Sequence, residues 1–484
     1  MGTIENLKKT LAYARRNGIG AAFTAAQERL SLNRVPYSYE PPTEEELRAQ
    51  RAAFSRRVME QKGTRLLRFS VVVPLYLTPK PYLEEMIQSV KAQTYGEWEL
   101  ICADASPRER NLRYAVEQAA RDARVLYMPL AKNGGIAENT NAAIDRAAGE
   151  YVVLLDHDDV LTPNALYELE RAIVEAETAP LLLYSDEDKS ETDEKDGSVR
   201  YFEPHRKPDF DAERLLSNNY ICHLTAIRTD VAKRLRMRSA YDGSQDYDLF
   251  LRVAEEAVRD GAPKGRMVHV PAVLYHWRVH SRSTAQNPAN KDYAFDAGKR
   301  AIADALLPRL SETGTAAKVT ELPHKGFYRV EYEPDLFTAL PDVGVIGGKV
   351  TDKNGTLTGG KMTAEGDVYY EGLPRGHTGG FEHPAVLRQE AEAVDLRCVM
   401  VRRELEALYR EFAPLPSPEK APEDAPEQEG QDTEAEGPVS GQERVQPAEE
   451  DIRARSLAFS AAVRARGYRI LWDPQFEACA TAKS

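Results

Sequence analysis

The chain has 484 residues, more than one hydrophobic core normally serves, so two or three domains are expected. Its 64 Lys and Arg stand against 77 Asp and Glu, and a net charge of −13 excludes a generally basic nucleic-acid binder. The excess is local, because between Pro414 and Asp451 twelve acids face only two bases and the rest is close to neutral. The four cysteines, Cys102, Cys222, Cys398 and Cys479, show no metal or redox spacing, which points to a reduced compartment. No apolar run approaches the ~20 residues of a membrane span, and no apolar leader opens the chain. The expectation is a soluble, cytoplasmic protein.

Residues 1–66 read as a charged helical extension. Thr43 and Glu46 have capping-box spacing, and 44–61 is helix-forming throughout. Residues 69–73 then form a β-branched run ending at Pro74, followed by Leu83, Met86, Ile87 and Val90 at helical spacing. Further strands are expected at 98–102, 124–128, 151–155 and 181–184. Between the third and fourth of these five strands lies a helix after Gly134-Gly135, closed by Gly149 as a C′ glycine. Thr162-Pro163 reads as N-cap and N1 of another helix. Strands alternating with helices predict an α/β layered domain over 67–315, with a mostly parallel sheet covered by helices on both faces. Residues 320–484 read as a smaller module with strands at 343–350, 394–401 and 467–472 and a helix at 456–466. The Pro/Glu-rich stretch 414–451 inside it is too poor in apolar residues to offset chain entropy and reads as a disordered acidic linker.

In open α/β sheets, ligands bind beyond the carboxyl ends of the strands. Pro74 and Tyr76 follow the first strand, Asp104 and Ser106 the second, and Asp156-His157-Asp158-Asp159 the fourth. Residues two apart on an extended segment project to one side, so Asp156 and Asp158 can converge. Crowded carboxylates disfavour ionisation unless a cation compensates, and hard oxygen ligands suit Mg²⁺ or Mn²⁺ together with a diphosphate. Acids also favour helix starts, which would account for one of the three but not for the whole cluster. Asp104 could be an ordinary turn residue or an acceptor for a ribose or base.

Val72-Val73-Pro74-Leu75-Tyr76, Gln93-Thr94-Tyr95, Asp104-Ala105-Ser106, Asn133-Gly134-Gly135-Ile136 through Asn141, and Leu155-Asp156-His157-Asp158-Asp159 occur in this order. Tyr184-Ser185-Asp186-Glu187-Asp188-Lys189, Asn219-Tyr220, Gln245-Asp246-Tyr247-Asp248 and Tyr275-His276-Trp277-Arg278 follow. Over about 69–285 this series resembles a family-2 glycosyltransferase domain. The resemblance implies the GT-A fold, a nucleotide-diphosphate-sugar donor (UDP- or dTDP-sugar), a divalent cation (Mn²⁺ or Mg²⁺) and transfer with inversion. It implies Asp246 as catalytic base, with Asp248 in support. Pro74, Tyr76, Asp104, Asn141, Asp156 and Asp159 fall on the nucleotide side, and Asp158, Asp156 and His280 on the cation. Asp186, Glu187, Asp188, Asp248 and Trp277 fall on the sugar or acceptor side. The acceptor it implies is a glycan or lipid-linked glycan in cell-surface polysaccharide synthesis, with peripheral contact at the inner membrane face. The sequence departs from the family pattern at Leu77, where Asn is usual, and at Ala103-Asp104, where two acids are usual.

The segment 343–355, with later blocks at 393–403 and 467–474, resembles part of a second domain of the same family. It lacks a nucleotide-binding strand pair and a DxD cluster between Glu321 and Asp342, and Ser456-Leu457-Ala458-Phe459 stands where a base-bearing helix would begin. A catalytically dead partner module is the expectation. Two other readings are a sugar nucleotidyltransferase, which would need a Gly-rich basic loop that 74–80 does not supply, and a non-catalytic sugar- or partner-binding scaffold on a decayed transferase fold.

Overall fold

Seven residues from Phe69 to Leu75, all buried, make β1, and the apolar face of the helix Lys80–Lys91 (Leu83, Met86, Ile87, Val90) packs against it without solvent exposure. Each such side chain contributes on the order of 1.5–3 kcal/mol by leaving water. The pattern repeats through β2 (Trp98–Asp104), β3 (Val125–Pro129) and β4 (Tyr151–Leu154), which lie in the order β3-β2-β1-β4 and pair in parallel. The computed structural model describes residues 37–60, 66–107, 112–193, 196–280, 292–380, 382–413 and 449–479. The chain forms two compact units, Met1–Ala339 with Gly380–Glu382, and Leu340–Gly379 with His383–Ser484.

Beyond β4 the sheet of the first unit changes character. The strands β5 (Val160–Leu161), β6 (Leu182–Thr192), β7 (Val199–His205), β8 (Thr225–Arg228) and β9 (Met267–Arg278) continue it as β4-β8-β6-β9-β5, with β7 on β6. Only β6 and β9 pair in parallel here, and the other pairings are antiparallel. The fold is therefore mixed α/β: the sheet is parallel where the first four strands stand and mixed beyond them. The sixth strand also runs well past the expected 181–184, to Thr192.

Several local readings shift. The helix expected to open at Thr162-Pro163 begins at Ala165, because the Pro163 carbonyl accepts from Thr94 N–H (2.8 Å) and the Thr162 hydroxyl turns to Asn164 (2.9 Å). Gly149 is no C′ glycine: the helix Ile136–Arg146 ends at Ala147, and a Cβ on Gly149 would stand 2.4 Å from the Arg68 carbonyl oxygen. The capping box is present, with Thr43 N–H on Glu46 Oε2 (2.7 Å) and Glu46 N–H on Thr43 Oγ1 (3.2 Å), and it opens the helix Glu44–Glu60. Phe54 of that helix lies against Tyr95 (5.0 Å between centroids), where any side chain on Gly96 would collide with its ring.

In the second unit, Val343–Thr351 and Arg469–Cys479 run parallel at the centre of a five-stranded sheet. Its core gathers Val345, Val394, Phe459, Ile470 and Trp472. The strand expected over 394–401 is two short ones, Ala393–Val394 and Val399–Val401, because Asp395 Oδ1 accepts from Arg397 N–H (2.9 Å) and turns the chain between them. Residues 414–448 of the expected linker lie outside the described residues. Its last three, Glu449, Glu450 and Asp451, open the helix Glu449–Arg464, as acids do at the positive end of a helix. Among the described residues no helix is long and apolar enough to cross a membrane.

Candidate active site

The carboxyl ends of β2, β1 and β4 form one rim, with Leu75 beside Asp104 and Val72 beside Leu154. Tyr76 (45% exposed) and Leu77 (42% exposed) stand on it. Leu77 adopts φ 51°, the left-handed region that costs an ordinary side chain on the order of 1–2 kcal/mol. Its N–H is held by Ser106 Oγ at 2.8 Å. That conformation suits Asn far better than Leu, which explains why this position stands out in the sequence.

The acid cluster after β4 divides its labour. Asp159 is fully buried: it accepts from the Tyr275 hydroxyl (2.5 Å) and the Arg278 N–H (2.7 Å). Burial, then the neighbouring Asp158 and Asp156 carboxylates, push its pKa well above the usual aspartate value. Asp159 thus anchors the turn to β9, where Arg278 also donates to the Asp158 carbonyl (2.6 Å). The anchored turn leaves Asp158 and Asp156 on the open side. Asp158 Oδ2 faces His280 Nε2 at 3.0 Å, and His280 lies over Tyr82 (5.1 Å). Asp156 Oδ2 faces His223 Nε2 at 3.7 Å.

Asp246 arrives from another element, the first turn of the helix Gln245–Arg259. Its Oδ2 accepts from Asn219 Nδ2 at 2.9 Å. Burial raises its pKa above the ordinary value, the neighbouring His223 opposes this, and Asp156 adds to it. The His223 ring stacks on Tyr275 (4.7 Å) and meets Trp277 edge-on (6.3 Å).

Other candidates are placed differently. Asp104 is at the rim, but its carboxylate is 2% exposed and already accepts from Ser106 N–H (2.8 Å) and the Tyr127 hydroxyl (3.0 Å). Asn141 is buried and ties its helix to the backbone of Met237 through both its side-chain nitrogen and oxygen. Asp248 is also fully buried, between the guanidinium groups of Arg238 and Arg252, and supports no acceptor. Asp186, Glu187 and Asp188 were expected on an open, sugar-facing segment. They lie instead in buried β6, where His269 (2.9 Å) partners Asp186, Lys207 (3.8 Å) partners Glu187 and His276 (2.5 Å) partners Asp188. Paired charges are what make so acidic a strand tolerable inside. Pro74 is buried in β1. Trp277 remains partly exposed next to His223.

Residues 70–236 match the family model described as "Glycosyl transferase family 2". This stretch is a family-2 glycosyltransferase domain. The chain is 38% identical over 239 residues to the uncharacterized protein y4gI of Sinorhizobium fredii, an alignment covering 49% of this chain and 25% of that protein. It is 32% identical over 265 residues to the O-antigen biosynthesis protein RfbC of Myxococcus xanthus, covering 54% of this chain and 19% of that one. The chain thus spans a quarter or less of these two relatives. A similar solved structure is S. aureus TarS 1–349 in complex with UDP-GlcNAc, at 18% identity and TM-score 0.39, covering 50% of this chain and 67% of that one.

The transferase domain offers a fit to a divalent cation at Asp158 and His280. Two cis ligands held ~2.1 Å from an octahedral ion stand ~3 Å apart, and the Asp158–His280 separation is 3.0 Å. No three His, Cys, Asp or Glu side chains form a ready cage among the described residues. His223 and Asn219 escaped notice as functional groups in the sequence. A lone histidine between Cys222 and Leu224 has no spacing signature, and only the fold brings it to Asp156.

Proposed function

We propose that the transferase domain moves a sugar, with inversion, from a nucleotide-diphosphate-sugar to a hydroxyl of a glycan acceptor, with Asp246 as the base. The observation that carries this reading is the setting of two acids from separate elements: Asp156, after a strand end, faces His223 at 3.7 Å, and Asp246, at a helix start, accepts from Asn219 and feels the charges of His223 and Asp156. Inversion needs a base on the face opposite the leaving group, and two acids from separate elements provide the two faces. Raised basicity suits Asp246 to take the acceptor proton as attack proceeds. Asn219, donating to one oxygen of Asp246, aims the other at the acceptor. Tyr76 presents an exposed ring beside the strand ends, in a position to meet the donor base, and Trp277 presents a flat face to the sugar or acceptor.

Asp158 and His280 would hold Mn²⁺ or Mg²⁺, with Asp156 joining from its place beside His223. When bound, such an ion neutralises the charge that develops on the departing nucleoside diphosphate. For Asp104 to read the nucleoside, it must exchange its contact with Tyr127 or Ser106 for one to ribose or base. A UDP- or dTDP-sugar is the donor proposed, and a cell-surface glycan, free or lipid-linked, the acceptor. A lipid-linked acceptor would bring the protein to the inner face of the membrane. We read residues 320–484 as a non-catalytic module derived from a second domain of this family.

The test is a transfer and donor-hydrolysis assay over a panel of sugar nucleotides with Mn²⁺. One donor should be consumed, and Asp246→Asn should lower kcat by ~10²–10⁴-fold while donor affinity persists. Near-normal turnover by that variant would remove Asp246 from the mechanism.

A further inference from the structure

Lys207 is a buried cation without an evident chemical task. Its side chain is fully enclosed, and its Nζ donates to the carbonyls of Ile221 (2.6 Å) and His223 and lies 3.8 Å from Glu187 Oε2. Glu187 in turn accepts from the His223 N–H (3.2 Å), and its other oxygen faces His205 Nδ1 at 3.4 Å. His223 is therefore gripped at both its N–H and its carbonyl by one buried ion pair. An ammonium can serve two carbonyls and a carboxylate at once, which no neutral side chain does.

The gripped segment is the one that reaches the acids. Four residues before His223, Asn219 donates to Asp246, and the Cys222 N–H and thiol fold back onto Asn219 (3.4 and 3.0 Å). His223 itself faces Asp156. We propose that Glu187 and Lys207 form a positioning clamp that fixes residues 219–223, so that Asn219 orients Asp246 and His223 stays facing Asp156. The inference rests on the reading of Asp246 as base and adds two positioning residues to it. A buried pair kept only for packing could be exchanged for neutral groups at little cost. A clamp could not, because the loop would lose its register with the acids.

The experiment uses the full chain with both charges removed together, Lys207→Met with Glu187→Gln, so that neither is left buried alone. The readouts are kcat and donor KM, the unfolding transition, and the rate at which Cys222 reacts with a maleimide, followed by peptide mapping. The expected result is a cooperative fold, a donor KM close to that of the parent, and kcat lower by ~10–100-fold, the scale of ångström-level misplacement. Cys222 should label about tenfold faster, as a loosened loop opens more often. A folded variant with unchanged kcat and unchanged labelling would overturn the clamp. Hydrogen exchange in the parent protein decides the matter even if the variant does not fold. The His223 amide should be protected like the amides of β6, and free exchange there would refute the proposal. If Asp246→Asn keeps its turnover, the base assignment falls alone, while labelling and exchange still decide the clamp.

Discussion

Asp246 sits where burial raises its pKa and His223 restrains the rise. A base works only when deprotonated, so transfer should fail as acid titrates it, with the acid limb of kcat/KM above the ordinary aspartate value of ~3.9. Measuring kcat/KM from pH 4 to 9 checks this, and a limb at or below that value would contradict the burial argument. Asp158→Ala should weaken Mn²⁺-dependent donor binding by about tenfold or more, since losing even a group that only orients a metal ligand typically costs ~10–100-fold in affinity; calorimetry with and without Mn²⁺ reads it directly. At this scale the acids were legible in the sequence because three carboxylates directly follow a wholly apolar strand. Asp248 was misread, because its role depends on Arg238 and Arg252 reaching it through the fold. Asp159 was taken for a donor contact because nothing in its own neighbourhood announces the Tyr275 hydroxyl, 116 positions away.

At the scale of elements, β6 shows most clearly what a sequence conceals. Asp186-Glu187-Asp188 reads as solvated, yet each carboxylate has a buried partner supplied by a distant strand or loop. Burial alone would raise the Glu187 pKa, but Lys207 and the hydrogen bond from His205 hold it down at about 2. An unfolded glutamate titrates near ~4.3, so between these values the unfolded chain binds more protons than the folded one. The stabilisation is complete above the unfolded value and is lost as pH falls toward 2, on the order of 3 kcal/mol in all. Urea midpoints between pH 6 and 3 should fall accordingly, and Glu187→Gln should flatten the slope; a parent protein with equal stability at both ends would contradict the paired state. The helix Glu44–Glu60 was legible by contrast, because its capping box is local and needs no distant partner.

The molecule as a whole combines the transferase unit with a second α/β unit, and the sequence displayed the first more plainly. Strands β1 to β4 follow the alternating strand and helix rhythm that a parallel sheet imposes, whereas β8 returns antiparallel between β4 and β6 with no signal of its own. In the second unit, the centre of the sheet and the edge strand Val399–Val401 read as apolar runs, whereas the short edge strands Leu357–Gly359 and Gln389–Glu390 carry no such signal. Residues 320–484 should bind no sugar nucleotide in the presence of Mn²⁺ when titrated calorimetrically, because among the described residues there no acid pair follows a buried strand at a sheet rim. Metal-dependent binding by that fragment would make it a second active domain. The most direct test of the central claim is a crystal structure of the full chain with a nucleoside diphosphate and Mn²⁺, read by the anomalous signal of the metal. The account requires the ion on Asp158, the diphosphate against it, and the Asp246 carboxylate facing the same cavity across His223. An ion bound elsewhere, or an Asp246 screened from the diphosphate by protein, would contradict it.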